Sequence, residues 1–190
     1  MTAVVLFVRS REIPAGVLWA VAAMTAVAWF GTGDSPHAVT TAALALALGV
    51  AVVGHSLGGP DSTLDRTAAI RWVPRRALHL ATIFVVAASV VTAVSPAPAG
   101  VILRDAAGFT GLAALAATLL GRRLAWTLPV VTGCVSAGIP AVPEPFALHL
   151  LTWAGQQADS RTAFAAAAVL TLAGVTGYVT HGPSRSGDVS

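Results

Sequence analysis

The sequence contains no lysine, since all 11 of its basic residues are arginine. This absence excludes every site that needs a lysine amine, including the P-loop lysine, a lysine base, and a Schiff base to retinal or pyridoxal phosphate. Cysteine is also scarce. Cys134 is the single cysteine, so the chain can form no intramolecular disulfide, and its cysteine content says little about redox compartment.

Charge of either sign is scarce as well. Charged residues make up 10% of the chain and hydrophobic residues 56%, with a mean hydropathy of +0.79. A soluble domain carries roughly 25% charged residues, whereas lipid tails can solvate an apolar outer face. The net charge of +3 does not indicate nucleic-acid binding, because the arginines are spread between apolar segments. The composition therefore predicts an integral membrane protein.

The apolar segments have the length of membrane spans. A helix needs about 20 residues to cross a hydrocarbon core of about 30 Å, and six stretches reach or approach this length. We therefore predict an all-α polytopic membrane protein of about six transmembrane helices. It forms one domain, residues 1–181, followed by a mobile tail, residues 182–190. The predicted spans are residues 14–30, 37–55, 77–94, 101–120, 124–139 and 162–180.

The distribution of arginines orients these spans. If the N-terminus is cytoplasmic, nine of the 11 arginines lie on the inner side, which is a strong positive-inside bias. The outer side then holds only Arg104 and Arg161. We expect a multi-pass protein of the cell membrane with both ends cytoplasmic, and with no signal peptide, since residues 4–8 are too short an apolar stretch. The inner arginines are Arg9, Arg11, Arg66, Arg71, Arg75, Arg76, Arg122, Arg123 and Arg185.

The longest inner connector runs from Gly58 to Arg76. Leu64, Ala68 and Trp72 recur at four-residue spacing, which puts them on one helical face, and Pro74 ends the run. The pattern predicts a short amphipathic helix beside the membrane, followed by the basic pair Arg75–Arg76. This helix either anchors the loop at the interface or docks a partner.

On the outer side, Arg104 and Asp105 begin the fourth span. Arg104 and Arg122 are 18 residues apart, about 27 Å of helix, so each guanidinium can extend to an opposite interface. Adjacent residues point to different helical faces, so Arg104 and Asp105 need not pair. They form either a polar site at the mouth of a translocation path or, the reading we favour, an interface anchor. Residues 145–153 are too short to span and predict an interfacial or re-entrant segment.

One pattern suggests a hydrolase. Residues 54–58, Gly-His-Ser-Leu-Gly, match the nucleophile elbow around Ser56, and Asp159 and His181 follow in the required order. An elbow needs a strand before the serine and a helix directly after it, whereas here a segment of helical length precedes and Gly59–Pro60 follows. We therefore reject this reading and expect no catalytic residue.

Three histidines, His55, His79 and His181, fall near the inner ends of spans. They could share one membrane level and bind a metal or relay protons, but polar residues gather at span ends in membrane proteins generally, so we expect no metal site.

Small residues recur in the fourth and sixth spans and predict close helix approach, within a packed bundle or at a dimer seam. Pro129 predicts a kink in the fifth span.

Three features together resemble the six-helix permease subunit of ABC-2 type exporters. They are the short apolar and basic segment before the first span (residues 1–12), the basic loop between spans two and three (residues 59–78), and the outer segment between spans five and six (residues 140–161). They match the interfacial elbow helix, the coupling-helix loop and the extracellular hairpin of that family. The resemblance covers the whole chain as architecture, and it is closest to the compact actinobacterial permeases.

The resemblance implies how the work is divided between chains. ATP and Mg²⁺ would bind to a separate nucleotide-binding ATPase subunit, so that this chain holds no cofactor. A second permease subunit, identical or different, would complete the membrane complement, and the exported substrate would be apolar or amphipathic. The implied coupling contacts are Asp65, Arg66, Arg71, Arg75 and Arg76.

Two other classes stay open. A membrane-embedded enzyme would need His, Asp or Glu clustered inside spans, and the sequence lacks such a cluster. A non-transporting accessory or assembly subunit of a larger complex would use the small-residue seams as well as a permease does.

Overall fold

A computed structural model describes residues 13–30, 37–57, 72–140 and 144–184, and these residues form helices and short connectors without any strand. The predicted all-α fold is confirmed for this part of the chain. Short 3₁₀ turns follow α2 (His55–Leu57), precede α5 (Arg122–Leu124) and precede α7 (Trp153–Gly155). The α-helices are α1 (Ile13–Trp29), α2 (Ala38–Gly54), α3 (Trp72–Val94), α4 (Ala99–Leu120), α5 (Thr127–Gly138), α6 (Phe146–Leu151) and α7 (Arg161–His181).

Three of these helices, α3, α4 and α7, are long and apolar enough to cross a membrane, judged by length and composition. The apolar helices α1, α2 and α5 are shorter, at 17, 17 and 12 residues. At a rise of about 1.5 Å per residue, 17 residues reach about 26 Å, slightly less than a typical hydrocarbon core. The fold therefore has the character of a membrane protein.

The first turn of α3 differs from our prediction. Trp72 and Pro74 were assigned to the end of a loop helix, but both belong to α3, which begins at Trp72. A proline at the third helical position breaks no backbone bond, because the first N–H groups of a helix have no intrahelical acceptor. Arg75 and Arg76 therefore sit on a transmembrane-length helix rather than between two helices. Leu64 and Ala68 lie outside the described residues.

Pro129 occupies the same kind of position in α5. The helix begins at Thr127, so Pro129 lies in its first turn, where a missing N–H removes no helical bond. The reason for the predicted kink disappears with this start point. The segment from residue 145 to 153 is not a span: it forms the six-residue α6 and then enters the turn at Trp153.

Helix α4 is the centre of the bundle. It contacts α2, α3, α5 and α7, and most of its residues are buried. The contacts also define two ends of the bundle. At one end, which we call the Arg76 end, α2, α4 and α7 finish and α3 begins. At the other, the Arg104 end, α4 and α7 begin and the segment 144–160 lies over them.

The distribution of side-chain size is the reverse of that in a soluble protein. Most of the buried apolar residues are alanines, whereas large apolar side chains face outward. On α7 the buried residues are Ala163, Ala167, Gly174 and Tyr178. The exposed side chains of the same helix include Phe164, Val169 and Leu172. Close packing of small residues inside and large apolar residues outside suits a lipid surrounding.

The closest helix contact joins α4 and α7. A Cβ placed on Gly174 would lie 2.0 Å from the carbonyl oxygen of Gly111, and one placed on Gly111 would lie 2.5 Å from the carbonyl oxygen of Leu170. No side chain fits in either position. The small residues that predicted close approach thus pack against each other within this chain.

Candidate functional site

The Arg104 end contains a buried ion pair. Arg104 and Asp105 lie in the second turn of α4, with 4% and 0% of their surfaces exposed. Arg104 Nε is 2.8 Å from Asp105 Oδ1, so the two neighbours pair along the helix. We expected that these adjacent residues need not pair, and in the structure they do. The expectation that Arg104 extends to an interface was wrong, because its side chain is enclosed by protein.

The remaining donors of Arg104 bind backbone carbonyls. Nη1 donates to the carbonyl of Gln157 at 3.0 Å, and Nη2 donates to that of Gln156 at 2.9 Å and more weakly to that of Trp153 at 3.5 Å. These carbonyls lie in the turn before α7 and directly after it, and those of Trp153 and Gln157 also accept a backbone N–H at 3.3 Å. A planar guanidinium with five fixed N–H groups can serve the carboxylate and the carbonyls together. Arg104 therefore fastens the segment before α7 to α4.

The indole of Trp153 strengthens this attachment. It lies against α4 where Gly108 leaves room, because a Cβ at Gly108 would be 2.3 Å from the ring. The ring also contacts Phe109, with centroids 5.3 Å apart at an interplanar angle of 44°. The other side of the turn touches α5, where a Cβ at Gly155 would lie 3.1 Å from the carbonyl oxygen of Ser136.

Gln156 organises the segment itself. Its side-chain amide is hydrogen-bonded to the carbonyl of His149 and lies 3.2 Å from His149 Nδ1, while its Oε1 accepts from Ser160 Oγ. Ser160 in turn caps α7 by accepting from the backbone N–H of Ala163 at 3.2 Å. The short α6, the turn and the first turn of α7 are thus one hydrogen-bonded unit held by Arg104.

Asp105 has an oxygen left over. Its Oδ2 is buried and has no hydrogen-bond partner within the described part of the chain, as is also true of Thr110 Oγ1 and Ser136 Oγ. The carboxylate balances the charge of Arg104 at close range, which a buried cation requires. Asp105 is thus placed as a counter-ion for Arg104.

The Arg76 end joins the ends of four helices. Tyr178 Oη donates to the carbonyl of Leu57, which ties α7 to the end of α2. The backbone N–H of Ser184, just beyond α7, donates to the carbonyl of Ala117 in the last turn of α4 at 3.1 Å. The ends of α2, α4 and α7 therefore form one hydrogen-bonded junction.

The two adjacent arginines of α3 point in different directions at this junction. The side chain of Arg75 is exposed, whereas that of Arg76 is half-buried against the end of α7. Arg76 Nη1 donates to the carbonyl of Val179 at 3.4 Å, a long and weak hydrogen bond. Asp65, Arg66 and Arg71, the other implied coupling residues, lie outside the described residues.

The histidines at this end have separate partners. His79 Nε2 is 3.0 Å from Ser56 Oγ, and Ser56 Oγ also donates to the carbonyl of Val53 at 2.7 Å. His181 Nδ1 is 2.7 Å from Thr180 Oγ1. The side chain of His55 lies outside the described part. Among the residues that were described, no group of three His, Cys, Asp or Glu side chains could hold a metal ion.

The local structure around Ser56 differs from a nucleophile elbow. Helix α2 leads into the 3₁₀ turn that holds Ser56, with no strand before it. The hydroxyl proton is engaged with Val53, one turn earlier in the same helix, as is common for serine at a helix end. The serine and histidine are in contact without the backbone geometry that a hydrolase uses.

Several residues of these two ends carry no sequence signal. Tyr178 and Ser184 bind backbone carbonyls of residues that are distant in sequence, and a backbone carbonyl is the same for every residue type. Gln156 bonds within its own segment, to His149 and Ser160. Trp153, in a short segment next to Gly155, is the one residue whose size could have indicated a packing role. Comparison with protein-family models, with curated proteins and with solved structures found no match.

Proposed function

We propose that this chain is the membrane-spanning permease subunit of an ABC-type exporter. In this proposal the chain crosses the cell membrane about six times, with the Arg76 end and both termini on the cytoplasmic side. A separate ATPase subunit binds ATP and Mg²⁺ and supplies the energy. The exported substrate is apolar or amphipathic.

The observation that carries the proposal is the junction at the Arg76 end. The connector of residues 58–71 enters the bundle at the first turn of α3, and there Arg76 reaches α7, which is in turn bonded to α2 and α4. A force applied at this one point would act on four helices together. A permease moved by a soluble partner needs such a point, because helices that are only in loose contact would slip past one another.

The exposed side chain of Arg75 suits a contact with the partner. It lies on the outer surface of α3 at the basic end of the bundle, to which the exposed Arg123 also belongs. A cationic surface favours an acidic face on the ATPase subunit by electrostatic complementarity. Asp65, Arg66 and Arg71 would complete the contact, and a second permease subunit would complete the translocation path.

Purification in mild detergent tests the proposal. We expect the chain to copurify from its native membranes with a nucleotide-binding subunit whose ATPase activity responds to substrate. Arg75→Glu should lower the amount of bound ATPase about tenfold or more, because it places like charges face to face. Arg161→Glu is the matched control, since it makes the same charge change on an exposed residue at the opposite end.

The outcome separates the proposal from its alternative. Copurification with no nucleotide-binding subunit would overturn the permease assignment. A complex in which this chain lies at the periphery of larger membrane partners would instead identify an accessory or assembly subunit. The glycines that could have formed a seam for such partners, Gly111 and Gly174, are used within the chain.

A further inference from the structure

The carbonyl of Val179 lies in the last turn of α7, where a helix supplies no backbone donor of its own. In a continuing helix the carbonyl of Val179 would accept from the N–H of residue 183, but residue 183 is proline and has none. The preceding carbonyl, of Tyr178, is served by the backbone N–H of Gly182 at 2.9 Å. Arg76 supplies the donor for Val179 from another helix.

Gly182 makes the approach of Arg76 possible. Its φ of +76° lies in the left-handed region that favours glycine, and a Cβ there would be 2.7 Å from Arg76 Nη2. The backbone conformation therefore favours glycine at this position, and a side chain here would push the Arg76 guanidinium away from the helix end. The guanidinium rests directly on the helix end, where the carbonyls concentrate partial negative charge.

Helix α7 extends from this contact to the other end of the protein. It packs on α4 at Gly111 and Gly174 with no room for side chains, so a shift of α7 across α4 would meet backbone atoms. It begins at the segment that Arg104 fastens to α4. A displacement of the first turn of α3 can thus reach the Arg104 end through α7 and α4.

We propose that Arg76 is the positioning residue that couples the start of α3 to the end of α7, while its neighbour Arg75 faces the partner. The assignment rests on the proposed function for its role in transport. The two arginines then have different roles: Arg75 contacts the partner, and Arg76 transmits the displacement of α3 to α7.

The contact can be tested on the full-length chain in detergent micelles without any partner. In a Cys134→Ser background, Ser184→Cys reports the end of α7, and its reaction with a water-soluble maleimide is timed. Arg76→Gln should speed the reaction about threefold to tenfold, because the helix end loses its cation. Arg75→Gln, the matched control, should leave the rate unchanged, and Arg76→Lys should restore most of the protection. Equal rates in Arg76→Gln and Arg75→Gln would overturn the assignment.

A second reporter distinguishes local release from unfolding. Ser136→Cys, at a buried position of α5, should stay slow to react in Arg76→Gln. If both cysteines react quickly in Arg76→Gln, the rates in Arg76→Lys show whether the charge is responsible, because a retained cation should slow the reaction of both. Rates in Arg76→Lys as fast as in Arg76→Gln would contradict the role of the charge.

The role in transport has its own readout. In the copurified complex, Arg76→Gln should retain the ATPase subunit but lose the response of its ATPase to substrate, whereas Arg75→Glu should lose the subunit itself. Failure to find any ATPase subunit would defeat the proposed function and leave the maleimide result standing. Loss of the bound subunit in Arg76→Gln would show that Arg76 is a contact residue and would overturn the division between the two arginines.

Discussion

Gly174 of α7 lies so close to Gly111 of α4 that a Cβ on Gly174 would be 2.0 Å from the Gly111 carbonyl oxygen. The obstacle is backbone, so no rotamer change can relieve it. This contact fixes the distance between α4, the central helix, and α7.

Gly174→Ala should therefore destabilise the protein by about 1–3 kcal/mol or more, because α7 has to move away from α4. Gly100→Ala is the matched control on α4, since nothing lies within 4 Å of a Cβ there. An alanine at Gly100 should be neutral or slightly stabilising in the helix. Thermal unfolding in micelles, followed by circular dichroism, compares the two, and equal midpoints would contradict the close contact.

The ion pair at the other end predicts a non-additive result. Arg104→Met should cost about 3–5 kcal/mol, since it leaves the Asp105 carboxylate buried without its partner. Asp105→Leu should be costly for the same reason. The double variant Arg104→Met/Asp105→Leu should be less destabilised than either single variant, because no unpaired charge remains. A double-mutant cycle of unfolding free energies measures this, and additive effects would show that the pair is not coupled.

Arg104 also controls the segment 144–160. In Arg104→Met/Asp105→Leu the carbonyls of Trp153, Gln156 and Gln157 lose the guanidinium as a donor, although the charges are balanced. The carbonyls of Trp153 and Gln157 keep a backbone donor at 3.3 Å. We expect this double variant to expose the segment to protease about tenfold faster, as a local opening without global unfolding. Asp159→Asn, an exposed change in the same segment, serves as the control. Unchanged cleavage in the double variant would mean that Trp153 alone holds the segment.

Although Ser56 contacts His79, we predict that the protein does not hydrolyse esters through this serine. Ser56→Ala should leave esterase turnover by the purified protein at the level of the wild type, because the serine lacks an elbow geometry. Its effect should be a loss of about 1 kcal/mol of stability from the missing hydrogen bonds. Turnover of a chromogenic ester that disappears in Ser56→Ala would contradict this prediction.

The two ends of the bundle predict opposite labelling from the two sides of a membrane. In a Cys134→Ser background, cysteines placed at the exposed residues Arg123 and Asp159 should react with a membrane-impermeant maleimide from opposite sides in sealed cells and inverted vesicles. Asp159→Cys should react from outside and Arg123→Cys from inside, as the positive-inside bias requires. Reaction of both from one side would refute the predicted topology.

The helices were predictable from sequence, and their ends were less so. Long apolar runs indicate the helices directly, and α4 begins at Ala99 where a span was predicted from residue 101. Pro74 was predicted to end a helix and Pro129 to kink one, but each lies in the first turn of a helix, and the sequence alone does not fix where a helix starts. Only the structure shows which side of the helix start each one occupies.

The two candidate sites were predictable only in part. Arg104 and Asp105 were identified as charged residues at the outer end of a predicted span, and Arg75 and Arg76 as coupling contacts that the resemblance implies. Their geometry was not predictable. Besides Asp105, the partners of Arg104 are carbonyls about 50 residues away along the chain. The partner of Arg76 is a carbonyl 103 residues away. The contrast between Arg75 and Arg76 depends on which helix packs beside α3. The packing of α7 beside the start of α3 could not be predicted from this single sequence.

The interior of alanine and glycine also sets how this protein can vary. Alanine and glycine lose almost no side-chain freedom when they are buried, so ordering the interior costs mainly backbone entropy. In an ordinary core a random substitution often removes atoms and leaves a cavity. Here most of the buried apolar positions are alanines, and a substitution at one of these positions usually adds atoms. The tolerance of the bundle to mutation is therefore limited by crowding, and its capacity for change lies in the large side chains that face outward.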